Sequence, residues 1–326
     1  MDITSGSARN LLAFAWLAAT AGGVMAQGTY PLKPIRWIIP APPGGPADVV
    51  SRTVGQKLGE IFEQQVVIDN RPGAAGQLGL GLAAKAAPDG YTIVMGNAAF
   101  AIHESLYSKL PYDAARDFAP LSQLPSSPLL LVAHPSLPVK MPKELVALAK
   151  SKPGQITYAS SGSGSPHHLG VELLSSMAGI KMVHVPYKGA APAVTDLLGG
   201  QVSLGIVALS ASLPHVKTGK LTALGVTLPK RTVFAPDIPT VAEQGFPGFA
   251  VEFWMGALAP AATPREIVNR LNAEMVRVLQ MPDVKERFLS QGFEVYSSAP
   301  QQFDAYIKAE IQKWANVVKE SGAKAD

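Results

Sequence analysis

A repeated local pattern constrains the fold of this chain more than any other feature. Short apolar segments are each followed by a turn rich in Gly, Ser or Pro and then by an amphipathic helix. The apolar segments occupy residues 35–39, 66–69, 91–95, 156–159 and 183–185. Strands that alternate with helices are typical of largely parallel sheets covered by helical layers. The sequence therefore predicts an α/β fold.

The ends of several helices are marked by their own residues. Ser165 can cap the helix that follows it, and Pro166 suits the first helical position because that position needs no N–H donor. Gly199 suits the C′ position, where a left-handed backbone conformation ends a helix. These signals predict helices that begin directly after the turns.

The length and two apolar runs indicate a chain that crosses between two lobes. A chain of 326 residues is long enough for two domains. Residues 129–133 and 251–258 are apolar runs bounded by prolines, which suits lobe crossings. We expect a discontinuous first lobe of residues 27–131 plus 252–326 and a second lobe of residues 132–251. Two crossings also permit a hinge between the lobes.

The N-terminal residues have the pattern of an export signal. Arg9 precedes the apolar residues 11–19, and Val24 and Ala26 stand where signal peptidase reads small residues. We therefore expect residues 1–26 to be a cleaved signal peptide and the mature protein to be soluble. An uncleaved membrane anchor remains the alternative, although the apolar stretch is short for a bilayer.

Composition excludes several classes of protein. The chain has no cysteine, so it forms no disulfide, no thiolate metal site and no cysteine-linked lipid anchor. The formal net charge is only +4, and its basic residues are scattered without interleaved aromatics, so nucleic acid is not expected as a partner.

Two glycine-rich turns are candidate anion sites. The first is Gly44-Gly45-Pro46 with Asp48, and the second is the Ser/Gly loop of residues 160–165. A helix start carries unpaired N–H groups and a partial positive charge, and glycine lets a ligand approach the backbone. Facing each other, these turns would hold one carboxylate. Asp48 is interpreted as a cap or loop organiser, since an unpaired carboxylate would repel an anion.

Known catalytic motifs are missing from the sequence. Ser163 has glycines directly beside it, whereas a nucleophile elbow places them two positions away. No Walker lysine and no dinucleotide-binding spacing occur. His167 and His168 are adjacent on a helix, so their side chains diverge and cannot share a metal. We expect no metal, no cofactor and no enzymatic activity. A hydrolase that uses the serine-rich turn and His168 is the weaker alternative.

Further segments run in a characteristic order along the chain. They are residues 30–35 (YPLKPI), 42–48 (PPGGPAD), 70–74 (NRPGA), 87–91 (APDGY), 110–113 (LPYD), 185–189 (VPYKG) and 237–243 (DIPTVAE), with the Ser/Gly loop ending at His168. In these segments the chain resembles the receptors of the tripartite tricarboxylate transporter (TTT), which are Bug-type solute-binding proteins. The resemblance implies a Venus-flytrap fold with a mixed sheet in each lobe, a periplasmic location, monomers, organic-acid ligands and a TTT membrane permease as partner.

The resemblance also implies which residues form the ligand pocket. In such receptors, backbone groups and ordered waters hold one carboxylate deep in the first lobe. Carried over to this sequence, the pocket residues are Gly44, Gly45, Asp48, Asn97, Ala98, Ser160, Ser161, Ser165, His168 and Tyr187.

Two departures from the family pattern bear on the ligand. Ala41 stands where many relatives have an aromatic residue, and Val207, beside Ala208, stands where amino-acid-binding relatives have Asp. An ammonium group buried against Val207 would lose its water without gaining a partner, which costs several kcal/mol. We therefore expect a dicarboxylate with an apolar or aromatic body, and not an amino acid. Phe253 or Trp254 could stack on it. A periplasmic sensor that presents the carboxylate to a signalling partner is an alternative to delivery for transport.

Overall fold

The structure, a computed structural model, describes residues 30–324. The signal peptide predicted at residues 1–26 lies outside the described residues. The first of two sheets contains β1 (Ile35–Ile39), β2 (Val66–Asn70), β3 (Thr92–Asn97), β4 (Phe118–Ser127) and β10 (Phe253–Pro260), in the order β2-β1-β3-β10-β4. β1 runs parallel to β2 and β3, whereas β10 is antiparallel to β3 and β4.

The second sheet also has five strands. They are β5 (Leu129–Ala133), β6 (Thr157–Ser160), β7 (Val183–Pro186), β8 (Leu204–Ala208) and β9 (Thr222–Val226), in the order β7-β6-β8-β5-β9. β6 is parallel to β7 and β8, and β5 is antiparallel to β8 and β9. Both sheets are therefore mixed, which confirms the predicted two-lobed α/β fold.

Helices cover both sheets. Those that belong with the first sheet are α1 (Pro46–Phe62), α2 (Gln77–Ala84), α3 (Ala98–Leu106), α8 (Arg265–Gln280), α9 (Pro282–Ser290) and α10 (Pro300–Ser321), with one 3₁₀ turn at Ala74–Gly76. Those of the second sheet are α4 (Pro142–Ser151), α5 (Pro166–Ala178), α6 (Ala190–Leu198) and α7 (Leu209–Lys217). Within residues 30–324, none of these helices combines the length and apolarity that a membrane crossing requires.

Amphipathic helices close the core around the strands. α8 buries Leu271, Met275 and Val278, which recur every three or four residues and so lie on one face. This face packs against β4 and α1. Burying a large apolar side chain stabilises the fold by about 1.5–3 kcal/mol, so a few such faces are enough to hold a cysteine-free chain together.

The chain changes sheet at two places. Between β4 and β5 only Pro128 intervenes, and β5 lies wholly in the second sheet. The return to the first sheet comes between β9 and β10. α10 packs on α3 of the first lobe and also on α5 of the second. Both lobes therefore meet along α10 as well as at the crossings.

The predicted helix ends are right at one position and one residue off at another. Ser165 is the N-cap of α5, and its Oγ accepts a hydrogen bond from the His168 N–H at 3.2 Å. Gly199 does not adopt the predicted left-handed conformation, since its φ is −80°. Gly200 does, with a φ of +71°. The glycine that ends α6 in the left-handed conformation is therefore Gly200, one residue later than predicted.

Glu252 is an enclosed acid at the second crossing. It immediately precedes β10, and its Oε2 accepts a hydrogen bond from the Tyr306 hydroxyl at 3.1 Å. Burial raises the pKa of Glu252 to about 7, and the negative charges of Glu310 and Glu294 act in the same direction. The side chain is therefore largely protonated in mildly acidic solution.

This raised pKa predicts a stability that falls with pH. The stabilising contribution of protonated Glu252 is complete below the ordinary value of 4.5 and is lost as the pH rises through about 7. We expect Glu252→Gln, which keeps an acceptor for Tyr306, to match the wild type in acid and to exceed it by about 2–3 kcal/mol in mild alkali. Urea unfolding at both pH values measures this difference. The exposed Glu286→Gln is the control, and equal pH dependence in all three proteins would contradict the assignment.

Candidate functional site

Helices of both lobes begin where strands end. In the first lobe, α1 follows β1 and α3 follows β3. The parallel register of β1 and β3 pairs Ile38 with Val94, and continuing it places Ala41 level with Asn97. β10 pairs Met255 with Asn97, which brings the start of β10 to the same edge. The first-lobe candidates therefore lie along one sheet edge.

Asp48 organises the first glycine-rich turn. Its Oδ2 accepts hydrogen bonds from the Gly44 N–H and from Arg52 Nε, each at 2.9 Å. Its Oδ1 accepts one from Asn70 Nδ2 at 3.0 Å. Burial alone would raise the pKa of Asp48, but these hydrogen bonds hold it below its usual value. Asp48 is thus the loop organiser that the sequence predicts, and Asn70 and Arg52 are partners that it did not reveal.

Several N–H groups of this turn are already hydrogen-bonded within the turn. The Gly44 N–H is already bound to Asp48, contrary to its expected role as a donor to the ligand. α1 has no side-chain cap, Pro46 has no N–H, and the Val49 N–H binds Gly45 O at 3.0 Å. The remaining donors of the first turn are therefore the N–H groups of Ala47 and Asp48.

Asn97 caps the second helix start of the first lobe. It is the N-cap of α3, and its Oδ1 accepts from the Ala99 N–H at 3.0 Å. Ala98 is fully buried and serves packing, so its side chain is not exposed to a ligand. The side-chain NH₂ of Asn97, which is half-buried, is the group that this cap orients at the sheet edge.

Two serine–histidine pairs shape the second-lobe loop. Ser160 Oγ lies 2.6 Å from His184 Nε2, and Ser161 Oγ lies 2.8 Å from His167 Nδ1. The Gly164 N–H donates to His168 Nδ1 at 3.0 Å, and the rings of His168 and His184 stack at 3.7 Å. The loop is therefore held by its own side chains.

His167 and His184 were not among the predicted site residues. The parallel register of β6 and β7 pairs Tyr158 with His184 and so brings His184 beside Ser160. The sequence carries no signal for this pairing, because it depends on which strand lies next to β6. Within the described part of the chain, no group of side chains that could hold a metal ion forms at His167 or elsewhere.

Tyr187 lies beside the loop but directs its hydroxyl elsewhere. The hydroxyl donates to Asp196 Oδ2 at 2.7 Å, and the backbone N–H donates to Ser160 O at 3.1 Å. Burial and the hydrogen bond to Asp196 raise the pKa of Tyr187 to about 12. The half-buried ring of Tyr187, rather than its hydroxyl, is the part that a ligand could contact.

Phe253 and Trp254 separate onto opposite faces of β10. Trp254 is fully buried, its Nε1 donates to Glu310 Oε2 at 3.1 Å, and its ring meets Phe303 and Tyr306 edge-on. The prediction that Trp254 could stack on a ligand is therefore wrong, because strand alternation turns it into the core. Phe253 is only partly buried.

Two contacts join the lobes near the candidate residues. The ring of Phe253, from the first lobe, lies 6.4 Å from that of His167, from the second. Gly164 packs so closely on Leu106 of α3 that a Cβ at Gly164 would lie 2.0 Å from Leu106 Cδ2. The second-lobe loop therefore packs against α3, and the start of α5 lies beside the start of β10.

Three of the second-lobe candidates, Ser160, Ser161 and Val207, line a small cavity. It measures about 10 Å³, the space of one water molecule. Its lining comprises Ala159, Ser160, Ser161, His167, Ala190, Ala193, Val194, Ile206 and Val207. Val207 is buried, and Ala208 is the N-cap of α7. Among residues 30–324, no hydrogen bond or ring contact joins this group to the Gly44–Asp48 turn, so the structure brings the candidates together as two groups.

A larger cavity lies away from these residues. It has a volume of about 580 Å³ and is bordered by residues 228–231 after β9, by α9 and by residues 294–296. Glu252 is also part of its wall. None of the predicted ligand-binding residues lines it, so it flanks the crossings rather than the candidate site.

The sequence also matches a known protein family. Residues 50–323 match the model of the tripartite tricarboxylate transporter family receptor, TctC. The chain belongs to this receptor family. The TTT receptor is 39% identical to protein BugT of Bordetella pertussis over 310 residues, which cover 94% of this chain and 95% of BugT.

Solved structures of related proteins agree with the fold of the TTT receptor. An R. palustris protein solved with adipate is 34% identical, with a TM-score of 0.77 over 91% of this chain and 100% of its own. MatC from Rhodopseudomonas palustris, solved with bound malate, is 32% identical, with a TM-score of 0.73 over 89% of this chain and 100% of its own. The TTT receptor is thus a solute-binding protein by family and by fold.

Proposed function

We propose that this receptor captures a small organic dicarboxylate between its lobes in the periplasm and delivers it to a TTT membrane permease. Two observations support the proposal: helices begin directly after strands in both lobes, and His167 of the second lobe lies beside Phe253 of the first. The related proteins are solute-binding proteins, which supports a role without catalysis.

Lobe closure is the proposed capture step. The lobes that the sequence predicts are residues 27–131 plus 252–326 and residues 132–251. The position of β5 in the second sheet favours moving the first boundary back to Pro128. A ligand shifts an open–closed equilibrium only through contacts that improve on closure, so both groups of candidate residues must touch it. The lack of a direct bond between these two groups suits a site that is completed by the ligand.

Neutral donors would hold the carboxylates. On the first lobe these are the N–H groups of Ala47 and Asp48 and the amide of Asn97. On the second lobe they are the hydroxyl of Ser165 and the hydrogen-bonded Ser161 and His167 pair. Oriented dipoles at helix starts stabilise an anion without a fixed counter-charge.

Apolar residues would surround the body of the ligand. Ala41, Val207, Ala208 and the ring of Phe253 offer no acid to an ammonium group. A buried ammonium would therefore lose several kcal/mol of hydration without compensation. The adipate and malate found with related proteins are both dicarboxylates without an amino group.

A binding screen tests this proposal. A thermal-shift survey of organic acids is followed by calorimetry with malate, adipate, phthalate, aspartate and glutamate. Diacids should bind at least about tenfold more tightly than the two amino acids, and a ligand at 100 times its Kd should stabilise the fold by about 2.7 kcal/mol. Tight binding of aspartate or glutamate with inert diacids would overturn the assignment. Uptake of labelled diacid into vesicles with the permease, with and without the receptor, tests delivery.

A further inference from the structure

We propose that His167 sets the charge preference of the site, favouring dianionic over monoanionic ligands by taking up a proton when the ligand binds. This inference rests on the proposed function, since it concerns the second carboxylate of the same ligand.

His167 lies at the contact between the two lobes. It lies in the first turn of α5, directly after Pro166. Its Nδ1 pairs with Ser161 Oγ at 2.8 Å, so Nε2 is the ring nitrogen that remains for a ligand. Its ring lies 6.4 Å from that of Phe253, and a ligand that packs on Phe253 therefore also reaches His167.

The free receptor keeps His167 uncharged. Burial lowers its pKa to about 4, and no charged group contributes to this shift. The cavity wall that it shares with α6 and β8 is apolar, formed by Ala193, Val194 and Val207.

The other titratable groups around His167 already have contacts of their own. On α5, the ring of His168 stacks on that of His184 from β7. On the side of β10, Phe253 faces His167, while the preceding Glu252 accepts a hydrogen bond from Tyr306. A ligand carboxylate would therefore bring the negative charge that this histidine otherwise lacks.

Proton uptake follows from that added charge. An anion within hydrogen-bond distance favours the charged form of a histidine and raises its pKa. Binding is then tighter at low pH, by up to about tenfold per pH unit between the pKa values of the free and bound states. A monoanion has no second carboxylate to place beside His167, so its binding does not tighten in this way as the pH falls.

Calorimetry with malate or adipate tests the inference in wild type, His167→Gln and His134→Gln. His134 is the matched control, because its Nδ1 also pairs with a serine, Ser136, at 2.7 Å, but it follows β5 at the end of the sheet away from Leu129. Titrations at about pH 6 and about pH 8, in buffers of different ionisation enthalpy, report affinity and protons bound.

The expected results separate the variants. Wild type and His134→Gln should bind the diacid at least about fivefold more tightly at the lower pH. Each should take up a fraction of a proton per ligand bound. His167→Gln should show neither effect and should lose most of the discrimination between the diacid and its monomethyl ester. His167→Asn repeats the test should the Gln variant unfold.

Other outcomes would overturn the proposal. An unchanged pH slope in His167→Gln would assign the proton to another group. Diacid binding without proton uptake in the wild type would also overturn it, while leaving the proposed function standing. No diacid binding at any pH would remove both.

Discussion

Asp48→Asn is expected to lower the free energy of unfolding by about 2–3 kcal/mol and to weaken ligand binding by at least about a hundredfold. Asn keeps the shape of Asp48 but offers one acceptor oxygen to three donors, and its NH₂ group faces them. Gly44 or Asn70 then loses its partner, and Arg52 loses its counter-charge. The turn that begins α1 would no longer hold the N–H groups of Ala47 and Asp48 in place. Urea unfolding and calorimetry with a diacid measure both effects.

Asp69→Asn is the matched control for this substitution. Like Asp48, Asp69 pairs with arginine, in this case Arg36 and Arg71, but it lies on β2 with its side chain partly exposed to water. The same change of charge there should cost less than about 1 kcal/mol and leave binding unchanged. Equal losses in the two variants would show that Asp48 contributes only a general charge effect and does not organise the site.

Gly164→Ala should weaken ligand binding by about tenfold or more through the contact between the lobes. The new Cβ would lie 2.0 Å from Leu106 Cδ2, so either this methyl group or the second-lobe loop must shift. Overpacking of this kind costs about 1–3 kcal/mol, and we expect part of this cost to be relieved by opening of the lobes. The affinity for a diacid, with the radius of gyration from small-angle scattering, measures the shift towards the open form.

Two further variants distinguish the effect of this contact from the effect of backbone strain. They are Gly154→Ala and the double variant Gly164→Ala, Leu106→Ala. Gly154 has a φ of +69°, close to the +73° of Gly164, but nothing lies within 4 Å of a Cβ built there. Gly154→Ala should therefore lose stability and keep its affinity. Adding Leu106→Ala to Gly164→Ala should recover affinity, because it removes the side chain that the new methyl group meets. If the double variant binds as weakly as Gly164→Ala, the interlobe contact is not the cause.

Local signals predicted the parts of this protein that depend on neighbouring residues. Ser165 and Pro166 start α5 as expected, because a cap and a proline act within one turn of helix. The exception at the end of α6, where Gly200 rather than Gly199 takes the left-handed conformation, is a shift of one residue between two adjacent glycines. Either glycine can adopt it, so the sequence did not distinguish them.

The choice between Phe253 and Trp254 depended on tertiary structure. Adjacent residues of a strand face opposite sides, and both of these aromatic residues suit either a core or a pocket. The pairing of β10 with β3 and β4, and the Glu310 carboxylate that receives Trp254 Nε1, place Trp254 inside. Glu310 lies on α10, far along the chain from Trp254, so no local pattern could reveal the contact.

The sequence by itself determined the α/β class, the helix starts after glycine-rich turns and the family resemblance, because these follow from short-range propensities and contiguous motifs. Only the tertiary structure decided that Asp48 binds Asn70, that Ser160 pairs with His184 and that His167 meets Phe253. Each of these contacts joins residues from different helices or strands. Their partners are set by strand order and packing, which a linear sequence does not display.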